Sequence, residues 1–190
     1  PSGSPVYLAC YGSDELLVLD AGAAPSVLDT IAVGRGPWGV CCPGSGEQVY
    51  VTNRLDGTVT VVDAGDGAIG ATLDAGSDPK AICSTADGSA VWVGDYLGSR
   101  VYVIDVATHE VVSSFAAAGG PTELLALPNG ELACVTCYTD DAIGILGVLE
   151  QELLGTMEAG IRPFGLCSTP PGDMLFVTSS LGSEVLVFGY

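Results

Sequence analysis

The residues with the clearest potential for chemistry are the few cations of this chain and the aromatic side chains beside them. Only five of the 190 residues are Lys or Arg, and Arg35, Lys80 and Arg162 each lie within two residues of a proline. Trp38 and Phe164 directly follow two of those prolines. Such cations and rings together can hold an anionic or sugar-like ligand through charge-assisted hydrogen bonds and stacking. The predicted ligand-binding residues are Arg35, Trp38, Asp78, Lys80, Thr122, Glu123, Arg162 and Phe164.

A second interpretation of the same residues stays open. The cations could only offset neighbouring acids, and the rings could only cover the ends of strands. The acids that share this region are Asp74, Asp78, Glu123 and Glu158.

Catalytic and metal-binding patterns are sparse. His109 is the only histidine and falls in a predicted turn, so neither a histidine-rich metal site nor a central Ser-His-Asp triad is expected. Cys134 and Cys137 form a C-x-x-C, but residues three apart on a strand point to opposite faces. We therefore predict no catalytic residue, no bound metal ion and no cofactor.

The charge is strongly one-sided. With 23 acids against five cations, the formal net charge is −18. Nucleic acid and anionic membranes should be repelled, and no apolar run is long enough to insert into a bilayer. The start of the chain has no charged and apolar secretion signal, so we expect that any such signal has been removed or never existed. The acidity favours an extracellular, cell-surface or periplasmic location.

The elements that position these residues follow a repeat. The prolines at 37, 79, 121 and 163 are 42 residues apart, and the glycines at 46, 88, 130 and 172 keep the same spacing. Each repeat holds four short segments rich in Val, Ile, Leu and Thr, separated by Gly, Asp or Asn. Such segments predict four strands joined by hairpins. A four-stranded sheet every 42 residues, with no helical pattern, is typical of a β-propeller blade.

The stretch 49–82 resembles the YVTN β-propeller repeat, with the tetrapeptide itself at residues 50–53. The motif changes to WVGD, CVTC and FVTS in later repeats, and the aspartate that ends the third strand is replaced by Gly147 in one of them. The resemblance implies a β-propeller. Its repeats carry no catalytic motif, and it implies little about function, although some similar propellers support lactonase or other hydrolase activity.

The predicted single all-β domain contains about 4.5 blades. The boundaries are a partial blade at 1–36, full blades at 37–78, 79–120 and 121–162, and a partial blade at 163–190. Both partial blades contain the two middle strands, so they do not complete each other, and the ring is predicted to be incomplete in one copy. Three explanations remain: a fragment of a longer protein, a ring or filament of several copies, or a closed ring with unusual end strands.

The predicted strand order sends the connections after each second strand and before each first strand to one face. All five cations map to that face, and the opposite face receives only acids and His109. We predict a non-enzymatic binding or structural module that binds a protein or a small anionic or sugar-like ligand there. A homo-oligomer could form through the unfinished end blades. The alternative is a lactonase-like or other hydrolase at the channel mouth, using Asp78, Glu123 and the cations.

Overall fold

The computed structural model describes residues 5–22, 24–44 and 46–189 and contains eighteen β-strands within them. These ranges contain no helix, and thus none with the length and apolarity that a bilayer crossing requires. The strands form five antiparallel sheets, each built from consecutive strands in chain order. This all-β arrangement confirms the predicted fold class and is consistent with an incomplete β-propeller.

The first sheet contains β1 (Val6–Cys10), β2 (Glu15–Asp20) and β3 (Ser26–Ala32). The second contains β4 (Pro37–Cys41), β5 (Gln48–Asn53), β6 (Thr58–Asp63) and β7 (Ile69–Asp74). The third contains β8 (Pro79–Ser84), β9 (Ala90–Asp95), β10 (Arg100–Asp105) and β11 (Glu110–Ala116). The fourth contains β12 (Pro121–Ala126), β13 (Leu132–Cys137), β14 (Ala142–Gly147) and β15 (Glu152–Glu158). The fifth contains β16 (Pro163–Ser168), β17 (Met174–Ser179) and β18 (Glu184–Gly189).

The second strand of each middle sheet is buried on both of its sides. In β5, all residues from Val49 to Asn53 are fully buried, although a strand turns alternate side chains to opposite faces. Such a strand must lie between two other layers, which explains why its sequence is apolar without alternation. The sheets therefore pack face to face.

The core lies in the layers between successive sheets. Val59 of the second sheet and Val91 of the third belong to one buried cluster, while Trp92 of the third and Leu124 of the fourth belong to the next. The inner strands β4, β8, β12 and β16 contact one another in sequence. Each of the three middle sheets therefore contributes to two separate layers of core, and each end sheet contributes to one.

A local irregularity in strand pairing lies at the start of the inner strand in each of the last four sheets. The pairing register shifts just after Pro37, Pro79, Pro121 and Pro163. Proline has no N–H to donate, and a bulge re-aims the side chains next to it. The bulge therefore determines where the side chain after each proline projects, which matters for the predicted ligand-binding residues.

The end sheets expose residues that the middle sheets bury. Val6 and Leu8 of β1 are 44% and 49% exposed, whereas Val49 and Val51, at the matching places of β5, are fully buried. On the last strand, Val185 is 59% exposed, whereas its counterpart Val59 in β6 is buried. The sequences are alike, and among the described residues no neighbouring sheet covers the outer side of either end sheet, which explains the difference.

Candidate functional site

Two sets of connections form the face that carries the cations. The residue after each second strand donates its backbone N–H to the residue before an inner strand: Arg54 to Gly36 at 3.1 Å, Tyr96 to Asp78 at 2.9 Å, Tyr138 to Gly120 at 2.9 Å, and Ser180 to Arg162 at 3.0 Å. This confirms that the two sets share one face. We call it the aromatic face, and it comprises 11–14, 33–36, 54–57, 75–78, 96–99, 117–120, 138–141, 159–162 and 180–183, together with Trp38, Lys80 and Phe164, which contact rings of these connections.

Several carboxylates of the aromatic face fasten one connection to another. Asp14 accepts the Gly36 N–H at 2.8 Å, and Asp141 accepts the Arg162 N–H at 2.8 Å. Asp56 accepts the backbone N–H of Arg35 at 2.7 Å. In each case the acid belongs to one set of connections and the donor to the other, so these acids hold the surface in one conformation.

A compact group of charges lies at the centre of this face. Asp78 is buried and accepts two hydrogen bonds from the Arg54 guanidinium, Nε at 2.7 Å and Nη2 at 3.1 Å. Lys80 Nζ lies 3.4 Å from the same carboxylate. The hydrogen bond to Asp78 raises the pKa of Arg54, while burial lowers the pKa of Lys80 despite the nearby carboxylate. The Asp78 carboxylate therefore already has two cationic partners.

Two aromatic rings form a corner beside this group. The rings of Tyr11 and Trp38 are nearly perpendicular, at 86°, with their centroids 6.0 Å apart. Arg54 Cζ lies 4.7 Å from the Trp38 ring centroid and 5.8 Å from the Tyr11 ring centroid. The ion pair with Asp78 thus fixes a guanidinium against both rings.

The aromatic side chains continue along the face. Lys80 Nζ lies 3.3 Å from the Tyr96 ring centroid, and Tyr96 neighbours Tyr138 at 6.2 Å between centroids. The Tyr138 and Phe164 rings are nearly perpendicular, with their centroids 6.4 Å apart. Arg162 Cζ lies 4.9 Å from the Tyr138 ring centroid. Aromatic rings and cations therefore form a continuous band across several sheets.

The predicted ligand-binding residues fall into separate places. Trp38, Asp78 and Lys80 meet around Arg54, while Arg162 and Phe164 meet around Tyr138. The remaining three lie outside these two groups. Arg35 forms an exposed ion pair with Asp56, Thr122 is buried with its hydroxyl 2.9 Å from that of Thr136, and Glu123 is half-buried, which raises its pKa.

Tyr11, Tyr96 and Tyr138 were not among the predicted ligand-binding residues. Arg54 was predicted to lie on this face but not to belong to the binding site. Arg54, Tyr96 and Tyr138 immediately follow the second strand of a four-stranded sheet, and Tyr11 follows β1, which matches β5 in the repeat. A comparison of that place between repeats could have found them. Instead, the residues that follow the prolines were compared with one another, and the side chains of the preceding sheet that contact them were not considered.

The opposite face consists of the other connections. We call it the acidic face, and it comprises 21–22, 24–25, 42–44, 46–47, 64–68, 85–89, 106–109, 127–131, 148–151 and 169–173. None of the five cations lies in it. Asp87 accepts hydrogen bonds from Thr85 and Ser89 of its own turn, and these lower its pKa. Asp105, at the edge of this face, has its pKa lowered by the N–H and hydroxyl of Thr108.

His109 lies in a tight turn of the acidic face, as predicted, with φ at 55°. Its Nε2 lies 3.0 Å from the amide nitrogen of Gln48, which can only donate, so Nε2 accepts. Nδ1 of the neutral ring then donates to the Tyr50 hydroxyl at 3.0 Å, and that hydroxyl donates to Gln48 Oε1 at 3.3 Å. Burial raises the pKa of Tyr50 to about 12. The closed network joins the second and third sheets.

The cysteines are distributed through the core and the inner strands. Cys134 and Cys137 belong to different buried clusters, which confirms that they point to opposite faces of their sheet. All seven cysteines are free thiols, and burial raises the pKa of Cys134 and of Cys137 to about 11. Within the described ranges, no three His, Cys, Asp or Glu side chains lie close enough to hold a metal ion together.

Comparison with known proteins bears on the fold. No protein-family model matches the sequence, and no curated protein matches it. The structure is similar to Kuenenia stuttgartiensis hydrazine synthase, with a TM-score of 0.87 and 21% identity over 94% of this chain and 53% of that one. The chain has a β-propeller-like fold.

A second solved structure is also similar. It is a functionally unknown protein from Desulfotomaculum acetoxidans DSM 771, with a TM-score of 0.85 and 14% identity over 100% of this chain and 68% of that one. At such identities these similarities show the fold alone. The chain spans about half the length of the hydrazine synthase chain that it matches.

Proposed function

We propose that this chain is a non-enzymatic β-propeller module that binds its ligand through the aromatic face. The band of rings and cations from Tyr11 to Phe164 carries this proposal. Exposed aromatic rings next to fixed charged groups are common features of binding surfaces. The hydrogen bonds between connections hold the band in place before a ligand arrives, which reduces the entropy lost on binding.

The surroundings of Asp78 favour binding over hydrolysis. A general base needs a carboxylate oxygen that can reach a substrate proton. Both Asp78 oxygens are already engaged, one by Arg54 Nε and the other by Arg54 Nη2 and Lys80. The group therefore supports a positioned ion pair better than the acid and base of a lactonase.

We also propose that the chain is a YVTN-type repeat protein, because the motif residues have a structural role. Residues 50–53 are fully buried in β5. The hydroxyl of Thr52 accepts the Gly39 N–H at 2.8 Å, just after the bulge of the inner strand. Thr136 accepts the N–H of Glu123 at 3.0 Å in the same way. The threonine thus compensates for the ladder hydrogen bonds that the bulge interrupts.

The binding proposal can be tested by NMR. Two-dimensional ¹H–¹⁵N spectra of the chain, recorded with a panel of anionic, neutral and aromatic small molecules and short peptides, should show shifts confined to the aromatic face. Shifts only at the acidic face, or none on the aromatic face for any member, would contradict the proposal. With a lactone panel we expect no turnover, and turnover that Lys80→Ala and Glu123→Ala both remove would favour the hydrolase.

The exposed end sheets support a second proposal, that copies of the chain pack head to tail. Val185 and Val187 of the last sheet match Val59 and Val61, which in the second sheet pack against the third. The outer side of the first sheet matches the side of the third that receives them. Native mass measurement in dilute buffer should give a multiple of 19.1 kDa, and a folded monomer would contradict this proposal.

A further inference from the structure

We propose that the corner formed by Tyr11 and Trp38 is a binding site for a neutral saccharide. This inference rests on the proposed function, because it names the ligand class of the aromatic face. The shape of the corner, its hydrogen-bonding groups and its charge all fit such a ligand.

The corner offers two accessible aromatic surfaces at a right angle. Tyr11 is 44% exposed and Trp38 is 43% exposed, although Arg54 lies against both rings. A pyranose ring has one side made mostly of C–H groups, and this side can stack on a flat aromatic ring. The perpendicular second ring would meet the edge of the sugar, where further C–H groups lie.

The local backbone keeps the corner open and fixed. Gly36 lies beneath it with φ at 64°, and a side chain at this place would meet Leu55 and Tyr11 within about 3 Å. The Gly36 N–H is held by Asp14 at 2.8 Å, and its carbonyl accepts the Arg54 N–H. The two rings therefore keep their relative positions in the absence of a ligand.

Polar groups around the corner match the hydroxyls of a sugar. Within the part of the chain that the structure describes, neither the Trp38 Nε1–H nor the Tyr11 hydroxyl makes a hydrogen bond. The Arg54 and Asp78 pair lies next to the rings, and Arg35 reaches the Leu55 carbonyl at 3.3 Å at the outer edge. A sugar hydroxyl both donates and accepts, so it can accept from the Trp38 N–H and donate to the Tyr11 hydroxyl.

The charges favour a neutral saccharide over an anionic one. Arg35 is already paired with Asp56 at 2.6 Å, and Arg54 is paired with Asp78. An anionic ligand would have to displace one of these carboxylates and approach a chain of net charge −18. A neutral sugar needs neither change.

The equivalent place in the last sheet provides a matched control. Phe164 follows Pro163 as Trp38 follows Pro37, and it is 40% exposed. Its neighbour Tyr138 is stacked by Arg162, which forms no ion pair with a described carboxylate. The Phe164 side chain also has no N–H group to donate, unlike the indole of Trp38. We expect this second corner to bind saccharides poorly.

The test uses the chain with Trp92→Phe, in which Trp38 is the only tryptophan, after circular dichroism has shown the native fold. Neutral hexaoses of glucose, mannose and N-acetylglucosamine are titrated against Trp38 fluorescence and against ¹H–¹⁵N spectra of the unmodified chain. We expect at least one to bind and to shift residues of the corner. Trp38→Ala should weaken that binding about tenfold or more, and Tyr11→Ala should weaken it as well. Phe164→Ala should change it by less than about twofold.

Other results would overturn the inference. Binding at the corner of only an oligogalacturonate, or of only a proline-rich peptide, would reject a neutral saccharide while leaving the proposed binding function intact. Saccharide binding that folded Trp38→Ala and Tyr11→Ala variants retain would place the site elsewhere. If no member of any class shifts the aromatic face, both the inference and the proposed function fail.

Discussion

The aromatic face and the acidic face use their carboxylates in different ways. On the aromatic face, Asp14 and Asp141 accept N–H groups from connections about twenty residues away, which enter the next sheet. On the acidic face, Asp66 and Asp87 accept N–H groups two residues further along their own turns. The long-range bonds fix two connections relative to each other, whereas the local bonds only shape a turn. The difference supports the proposal that the aromatic face binds the ligand.

Among the described residues, two acidic-face side chains do reach a neighbouring sheet through hydrogen bonds. Gln151, which precedes the last strand of the fourth sheet, accepts a hydrogen bond from Ser113 of the third. His109 contacts Tyr50 and Gln48 of the second sheet. Its network contains neutral groups, whereas the bridge across the same two sheets on the aromatic face is the ion pair of Arg54 with Asp78. Substitutions at the two bridges should therefore have different costs.

The largest effect is expected for Arg54→Ala. It leaves the buried Asp78 carboxylate with Lys80 as its remaining cationic partner and removes the guanidinium from the two rings. Breaking a buried ion pair is costly, but the Arg54 side chain is 20% exposed, so we expect the free energy of unfolding to fall by about 2 kcal/mol. Urea unfolding followed by circular dichroism measures this change.

The matched control is Arg35→Ala, which breaks the exposed pair with Asp56 on the same face. Exposed ion pairs contribute little, so its midpoint should stay close to that of the unmodified chain. Equal losses for both variants would show that the Arg54 bridge has no special role. A double-mutant cycle with Asp78→Asn then measures the coupling of the buried pair directly.

A smaller effect is expected for the neutral bridge. His109→Asn keeps a residue that tolerates the left-handed turn but loses the ring nitrogens, so we expect a loss of about 1 kcal/mol. His109→Ala should lose more, because alanine at φ of 55° adds backbone strain. Urea unfolding of both variants checks the order. Stabilities equal to that of the unmodified chain would mean that the network does not connect the two sheets energetically.

The smallest effects concern pH and should have opposite signs at Glu123, a half-buried residue of β12, and at Asp87 of the acidic face. Burial raises the pKa of Glu123, so its charged form is unfavourable in the folded state. Glu123→Gln should therefore raise the melting temperature at pH 7 by about 2 °C. This gain should shrink as the pH falls through the raised pKa and vanish below the ordinary value of 4.5.

Asp87→Asn is the counterpart on the acidic face. Hydrogen bonds from Thr85 and Ser89 lower the pKa of Asp87, so its charged form stabilises the folded state above the ordinary value of 3.8. The substitution should lower the melting temperature at pH 7, and the difference should disappear as the pH falls through the lowered pKa. Melting curves over this pH range check both variants. Changes of the same sign would contradict the assigned environments.

Much of the fold could be predicted because its signals are local. Short segments rich in Val, Ile and Thr between Gly and Asp predicted strands, and eighteen strands are present within the described residues. The turn position of His109 and the opposite directions of Cys134 and Cys137 also followed from local geometry. The predicted blade boundaries and the repeat length remain predictions.

The candidate site was predicted less well because it forms between sheets. The residues after the prolines were found, but Tyr11 and Tyr138, which contact Trp38 and Phe164, come from the preceding sheet. Arg54 likewise reaches Asp78 from the sheet before it. Thr122 shares the place of Trp38 and Phe164 in the sequence, yet it is buried against Thr136. A shared place in a repeat therefore does not ensure a shared environment.

By itself, the sequence determined the strand pattern, the net charge and the absence of cations from the connections of the acidic face, because these depend on residue order and on connections of few residues. Only the tertiary structure decided that Arg54 pairs with Asp78, that Tyr11 meets Trp38 at a right angle, and that the valines of the end sheets stay exposed. These features depend on how one sheet rests on the next. Packing between sheets joins residues twenty or more places apart, and no local pattern specifies which side chains will meet there.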